Sequence, residues 1–152
     1  MLVADNDKGA GFENVREEIR QANLDASADD QFGVPNAPRV SSQQSQSLPP
    51  ISILMLPWDA QMGCLETLCL DAANVKYSNE LKCAEEFIAC IGASGWEVSK
   101  KSKLKLRCFL SAVCKSEPNT GLVYAWSTEN GRPGDIFPLD TVAFKPLVDW
   151  LK

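Results

Sequence analysis

Two aspartates near the beginning of the chain could bind a metal ion. Leu2 to Ala4 predict the end of a buried strand, and Asp5 and Asp7 follow directly. Residues two apart on an extended chain point the same way, so both carboxylates would lie at the carboxyl end of the strand, where α/β sheets bind ligands. Carboxylate oxygens suit Mg²⁺. Alternatively, both residues form the turn that follows, because Asp is common in turns.

Two further acidic residues could join this site. Asp59 comes just after a second predicted strand, 51–57, and Glu66 lies among apolar residues on a predicted helix, 62–75. A carboxylate on an apolar flank is costly unless it is paired or bound to a cation. The alternative for Glu66 is stabilisation by the positive end of the helix dipole. Together, Asp5, Asp7, Asp59 and Glu66 predict a site for Mg²⁺ or Mn²⁺.

A run of basic residues could bind phosphate groups. Residues 99–152 carry a net charge of +4, whereas residues 1–50 and 51–98 carry −4 and −5. The basic run contains no acidic residue and lies on a predicted helix, 99–114; its members are Lys100, Lys101, Lys103, Lys105 and Arg107. It predicts a nucleic-acid-binding surface. The alternative is a solvated helix face.

The composition excludes several kinds of chemistry. The chain has no histidine, which rules out Ser-His-Asp and Cys-His catalysis and His-ligated zinc. Its six cysteines include no C-x-x-C pair, which argues against a zinc ribbon. We expect reduced thiols. There is no secretory signal pattern and no apolar run long enough to cross a membrane. These features predict a cytoplasmic protein that does not bind membranes.

The order of the predicted elements is typical of an α/β fold. The length of 152 residues fits one domain, 1–152. A strand, a helix at 13–26, a long mobile loop at 28–50 and a second strand predict a parallel sheet flanked by helices. The helix stripe at 13–26 comprises Val15, Ile19, Ala22 and Ala26. The C-terminal half is predicted to be rich in helices.

Several local features of the C-terminal half are predicted from turn and capping residues. Ser78 is expected to cap a helix that stops at Gly92 and buries Ile91 among its apolar residues. Residues 121–126 could form a strand or a buried helical turn. Asp140 could cap a last helix, which Pro146 either kinks or begins.

Four motifs in order resemble the small bacterial TOPRIM-like proteins of unknown function, which are relatives of the TOPRIM domain of overcoming-lysogenization-defect nucleases. The motifs are VADND at 3–7, strand-P-x-D followed by G-x-LE-T-L-C-L-D at 57–71, K-x-K-x-x-x-F-L-S-A at 103–112, and F-P-x-D-x-x-x-F-x-P-L-x-x-W-L at 137–151. They span nearly the whole chain. The resemblance implies a TOPRIM-like fold with a metal-dependent site for phosphodiester chemistry.

The resemblance also implies roles for individual residues. Asp5 and Asp7 match the D-x-D metal ligands, and Glu66 matches the helical glutamate. Lys103 and Lys105 match the paired lysines, which would be the catalytic residues that hold or neutralise a phosphate. A TOPRIM domain has a further strand ending in a glutamate before D-x-D. We expect this strand to be missing here, which would degrade the metal site and uncover a sheet edge.

Three functions follow as expectations. The first is an interaction module for nucleic acid, a nucleotide or another phosphate ligand, with a degenerate metal site. The second is an active Mg²⁺- or Mn²⁺-dependent nuclease or phosphotransferase. The third is a non-enzymatic accessory protein that forms homo-oligomers through the uncovered sheet edge.

Overall fold

The computed structural model describes residues 1–43, 47–58, 61–129 and 133–151. The chain forms two compact units, Met1–Cys64 and Leu65–Lys152. Its architecture is mixed α/β and rich in helices, with a small parallel sheet in the first unit. Within the described ranges, no helix is both long and apolar enough to cross a membrane.

The first unit contains the predicted parallel strands and the helix between them. Strand β1 (Leu2–Asp5) pairs with strand β2 (Ile53–Leu56), and Leu2 lies opposite Ile53. Helix α1 (Gly11–Leu24) connects them and packs Ile19 against Ile53 and Met55. All four residues of β2 are buried, as its continuous apolar sequence predicts. The predicted burial of β1 is wrong, since Leu2 and Val3 are exposed. The parallel pairing of the two strands is confirmed.

The two edges of this sheet differ. On one side of β2, the backbone N–H of Arg39 donates to the Ile53 carbonyl at 2.8 Å, and that of Ser42 donates to the Ile51 carbonyl at 2.7 Å. The predicted loop at 28–50 thus supplies backbone partners to β2, and it contains a 3₁₀ turn, Ala28–Asp30. In the described part of the chain, the sheet has no strand beyond β1.

The helical stripe predicted for α1 is only partly correct. The helix begins two residues earlier than predicted and ends at Leu24, before Ala26. Ile19 is buried and Val15 is half-buried, but Ala22 is exposed. The small side chain of Ala22 adds little apolar contact, so burial of Ile19 and its neighbours sets the orientation of the helix.

Asn6 organises the turn after β1. Its side chain is 2% exposed; Nδ2 donates to the Gln61 carbonyl at 2.9 Å, and Oδ1 accepts from the backbone N–H of Gly11 at 3.1 Å. Gly11 must lack a side chain, because a Cβ there would lie 2.5 Å from the Asp5 carbonyl oxygen. The turn therefore joins the ends of both strands to the beginning of α1.

The second unit is built from four helices. They are α2 (Leu65–Ala73), α3 (Ser78–Cys90), α4 (Val98–Val113) and α5 (Lys145–Trp150). At their core, the centroid of the Phe109 ring lies 5.5 Å from that of the Tyr77 ring and 6.1 Å from that of the Phe137 ring. The Trp126 indole N–H donates to the Phe137 carbonyl at 3.0 Å, so a C-terminal segment without regular structure is attached to the same core.

Three local predictions for α2 and α3 are corrected by the structure. The predicted start of α2 at residue 62 is wrong, since the Gly63 N–H donates to the Asn6 carbonyl instead of entering a helix. Tyr77, not Ser78, occupies the N-cap position of α3, and Ser78 is the first residue of the helix. Ile91 lies beyond α3 and is 49% exposed, so its predicted burial is also wrong.

The last two local predictions concern the C-terminal region. Within 121–126, Leu122–Tyr124 forms a 3₁₀ turn, which excludes a strand, and its residues are not buried. Asp140 does not cap the last helix. That helix begins at Lys145 after Phe144, with Pro146 in its first turn, where the missing N–H of proline costs no hydrogen bond. Pro146 therefore marks the beginning of α5.

The two hydrogen bonds of Asn6 lead to a stability prediction. Asn6→Ala is expected to lower the free energy of unfolding by about 1–3 kcal/mol, because it removes both hydrogen bonds made by a buried side chain. Urea denaturation measures the change. The matched control is Asn14→Ala, an exposed asparagine of α1, for which a change within roughly 0.5 kcal/mol is expected. Equal effects of the two variants would contradict this role of Asn6.

Candidate functional site

The five basic residues of α4 lie on two different faces of the helix. Spacings of three and four residues place Lys100, Lys103 and Arg107 along one face. Lys101 and Lys105 occupy the neighbouring face, which is directed towards α3. Lys103 and Lys105, which the resemblance pairs, are therefore on different sides of the helix.

On the face directed towards α3, Lys105 is paired with an acidic residue. Lys105 Nζ lies 2.6 Å from Glu85 Oε2, with the two side chains 24% and 52% exposed. The hydrogen bond from Lys105 is the main cause that lowers the pKa of Glu85, and the charge of Lys101 lowers it further. Lys101 Nζ also donates to the Ser94 carbonyl at 3.4 Å. These two lysines stabilise the packing of α4 against α3.

The other face is open to solvent. Lys100, Lys103 and Arg107 are exposed, and none of the three forms an ion pair with a described residue. Lys100 Nζ lies 4.2 Å from the ring centroid of Trp96, whose side chain is 41% exposed. We call these four residues (Trp96, Lys100, Lys103 and Arg107) the basic stripe. It combines positive charge with an exposed aromatic ring.

A pocket of about 490 Å³ adjoins the basic stripe within the second unit. Lys103, Arg107 and Glu66 provide its charged lining. Its other lining residues are Leu106, Leu110, Ser111, Pro118, Asn119, Thr120, Gly121 and Leu122. The pocket therefore combines two cations and one carboxylate with apolar and neutral polar groups.

Hydrogen bonds hold the wall of this pocket in place. Ser111 Oγ, on α4, donates to the Pro118 carbonyl at 2.8 Å. Thr120 is buried, and its Oγ1 donates to the Glu117 carbonyl at 2.6 Å. Segment 118–122 is thus attached to the end of α4, which makes the pocket a preformed feature of this unit.

Glu66 reaches the pocket from the first turn of α2. The neighbouring Thr67 donates from Oγ1 to Ser102 Oγ at 3.0 Å, and Ser102 in turn precedes Lys103. This hydrogen bond joins the beginning of α2 to the middle of α4. Glu66 is half-buried and has no ion-pair partner in the described ranges. The structure therefore places the predicted glutamate and the predicted lysine at the same pocket.

The predicted acidic ligands occupy different units. Asp5 and Asp7 are exposed on either side of the buried Asn6 in the first unit, whereas Glu66 belongs to the second. Asp59 lies outside the described residues. Among those described, no group of three acidic or cysteine residues is arranged to hold a metal ion.

Sequence reasoning missed three contributors to the site. Trp96 lies four residues before Lys100, a spacing that would have placed both on one face had the helix been extended backwards. Ser111 lies four residues after Arg107 and follows from the same periodicity. Asn119 lies in a segment without regular structure, and no sequence pattern indicates its place in the pocket.

One acidic residue near Lys105 has an altered pKa. Burial raises the pKa of Asp71 above its ordinary value, while the charge of Lys105 opposes this shift. Asp71 lies on α2 and Glu85 on α3, so Lys105 interacts with acids from both helices that pack on α4. This arrangement explains why Lys105 belongs to the helix packing and not to the basic stripe.

The fold and the pocket define a helix-rich α/β protein with a basic, aromatic-bearing helix face. The model of a family of proteins of unknown function, DUF3226, matches residues 1–152, and the chain belongs to this family. No curated protein and no solved structure matches the chain.

The Lys105–Glu85 pair leads to a prediction about pH. Lys105→Gln is expected to lower the free energy of unfolding at neutral pH by about 0.2–1 kcal/mol, as for other exposed pairs. Because the folded-state pKa of Glu85 is lowered, this contribution is present above the ordinary pKa of glutamate and is lost as pH falls through the lowered value.

Urea denaturation of the wild type and Lys105→Gln at several pH values measures this contribution. The difference between them should narrow towards about pH 3, where carboxylates are protonated. Lys82→Gln provides a control, since Lys82 Nζ lies 4.0 Å from Glu86 Oε1 and both side chains are highly exposed. A difference for Lys105→Gln that stays constant across the pH range would contradict the assignment.

Proposed function

We propose that this protein is a TOPRIM-like interaction module that binds single-stranded nucleic acid along the basic stripe of α4. The observation that carries the proposal is the separation of the basic run into a face that contains the Lys105–Glu85 ion pair and a face that forms no ion pair with a described residue. Lys101 and Lys105 face the acidic α3, while Lys100, Lys103 and Arg107 remain available to phosphates.

The geometry of the basic stripe fits a strand. At a rise of 1.5 Å per residue, Lys100 and Arg107 lie about 10 Å apart along the helix axis. Phosphates follow one another at about 3.4 Å of axial rise in a strand of duplex DNA, and a single strand can be more extended, so this length accommodates about two phosphates. Two phosphates of one strand can therefore be contacted from a single helix face.

Trp96 favours a single strand over a duplex. Bases in a single strand are free to stack on aromatic side chains, whereas those of a duplex are already stacked on one another. The exposed part of the Trp96 ring lies at the beginning of the basic stripe, beside Lys100. A strand could place a base on this ring while its phosphates follow the lysines and Arg107.

The charge distribution supports local recognition and not general attraction to polyanions. Residues 65–152 contain as many acidic as basic residues, and residues 1–64 account for the net charge of −5. A nucleic acid would therefore gain favourable interactions only where the cations are not already paired. The basic stripe is such a place.

The TOPRIM assignment is part of this proposal. It is supported by the order of the motifs and by the position of D-x-D at the carboxyl end of β1, which runs parallel to β2. In this interpretation, the scaffold retains nucleic-acid binding, and its metal site is degenerate.

Binding of a fluorescent single-stranded 12-mer tests the proposal. Lys103→Gln and Arg107→Gln should each weaken binding and reduce the slope of log affinity against log salt by about 0.7, as expected for one lost phosphate contact. Trp96→Ala should weaken binding by about 1–3 kcal/mol, the range for one stacked base.

Lys101→Gln provides the matched control, because it removes the same charge from the other face of the same helix. It should leave the salt slope unchanged. Equal slopes for Lys101→Gln and Lys103→Gln would contradict the proposed role of the basic stripe. A wild-type protein that binds no single strand at low salt would contradict the proposed function.

A metal-dependent phosphodiesterase is the second candidate function. It is favoured by the two exposed carboxylates, Asp5 and Asp7, that flank the buried Asn6 at the carboxyl end of β1. Their oxygens fit the ligand preference of Mg²⁺ and Mn²⁺. A bound ion would polarise a phosphodiester and lower the pKa of an attacking water molecule. Asp5 and Asp7 would hold the ion by their carboxylates.

Calorimetric titration with Mn²⁺ tests this second candidate. Wild-type protein should bind the ion saturably, and Asp7→Asn should lose most of the affinity because it removes one of two carboxylates. The control is Asp25→Asn, an exposed aspartate after the end of α1. Identical titrations for wild type and Asp7→Asn would contradict a metal site at these residues.

A further inference from the structure

We infer that the pocket beside the basic stripe receives the 3′-terminal nucleotide of the bound strand and that Glu66 accepts a hydrogen bond from its free 3′-hydroxyl. This inference rests on the proposed function and specifies which part of the strand the protein recognises. It follows from the charge, the position and the lining of the pocket.

The position of the pocket connects it to the strand. Lys103 and Arg107 belong both to the basic stripe and to the pocket lining, so phosphates on the stripe lead directly to the pocket. Trp96 and Lys100 lie towards the other end of the stripe. A ligand that contacts both ends is therefore longer than one nucleotide, which favours the end of a strand over a free mononucleotide.

The charge of the pocket distinguishes the end of a strand from its interior. Lys103 and Arg107 can bind the phosphate on the 5′ side of a terminal nucleotide. Glu66 lines the same pocket and has no cationic partner in the described ranges. A strand that continued past this point would bring a second phosphate towards the Glu66 carboxylate, which is unfavourable. A terminal hydroxyl is neutral and can donate to it.

The lining of the pocket suits a nucleotide. Its volume of about 490 Å³ lies within the range of small-molecule sites. Leu106 and Leu110 are buried and offer apolar surface to a sugar or base, while the exposed Asn119 offers an amide that can donate and accept hydrogen bonds. The pocket thus has partners for all three parts of a nucleotide.

The choice of the 3′ end follows from chemistry. On a strand that carries a 5′-phosphate, the 5′ end would bring negative charge to Glu66, and the 3′-hydroxyl is the terminal hydroxyl that remains; the linear test strands therefore carry a 5′-phosphate. Glu66 therefore discriminates against terminal phosphates. We expect it to discriminate equally against a closed circle, which has no terminal hydroxyl.

Three forms of one single-stranded 12-mer test the inference in the presence of EDTA. They are a strand with a 3′-hydroxyl, the same strand with a 3′-phosphate, and the same sequence closed into a circle. Hydrogen bonds to charged groups are among the stronger ones, so the 3′-hydroxyl form should bind about tenfold more tightly than the other two.

Glu66→Gln separates a recognition role from a structural one. The variant removes the negative charge but keeps the size of the side chain, so the discrimination against 3′-phosphate should fall to about threefold or less. The control is Glu86→Gln, an exposed acid of α3 that does not line the pocket, which should retain the full discrimination. If Glu66→Gln weakens the binding of all three forms by the same factor, the inference is overturned.

The outcomes separate this inference from the proposed function. If all three forms bind equally while Lys103→Gln still reduces the salt slope, the inference is wrong and the proposed function stands. If none of the forms binds to the wild-type protein, both are wrong. Preference for the 3′-hydroxyl form that Glu66→Gln removes supports both.

Discussion

Burial of the apolar face of α4 is the constraint on which the second unit depends. Leu106, Phe109 and Leu110 are almost completely buried, and the Phe109 ring contacts those of Tyr77 and Phe137. Rotating the helix would expose these side chains, each at a cost of roughly 1.5–3 kcal/mol. Because the rotation of the helix is set by this burial, so is the direction of every charged residue on it. The separation of the basic run is a consequence of core packing.

The two basic faces consequently have different energetic roles. Lys105 lies between Asp71 and Glu85, so its charge offsets that of acids on the helices packed against α4. Among the described residues, Lys103 and Arg107 form no ion pair, and the acid that shares their pocket is Glu66. Salt weakens the exposed interactions of Lys105 as well as those of Lys103 and Arg107. The charges of Lys103 and Arg107 are the ones that remain available to a ligand. A charge count over the basic run does not distinguish these roles.

Apolar periodicity predicted the helices and the parallel strands because burial is the dominant contribution to their stability. Capping residues were less reliable predictors of where helices begin. A cap contributes only about 1 kcal/mol to the free energy of unfolding, and packing can favour another residue at that position. Ser78, the predicted N-cap, is instead the first residue of α3, and Tyr77 occupies the N-cap position. The pocket was the least predictable feature. Segment 118–122 has no periodic pattern, and a hydrogen bond from Ser111 on α4 to the Pro118 carbonyl holds it beside the helix.

The composition of the pocket argues for a ligand with separated charges and not for a bare phosphate. A phosphate alone would be satisfied by Lys103 and Arg107, and a carboxylate beside them would reduce its affinity through like-charge repulsion. Glu66 is held in this position by the neighbouring Thr67–Ser102 hydrogen bond between α2 and α4. A carboxylate that lowers the affinity for a single phosphate can help the pocket to discriminate among larger ligands that contain phosphate. In the proposed function, Glu66 would therefore contribute specificity at the expense of affinity, while the basic stripe would contribute affinity without regard to sequence.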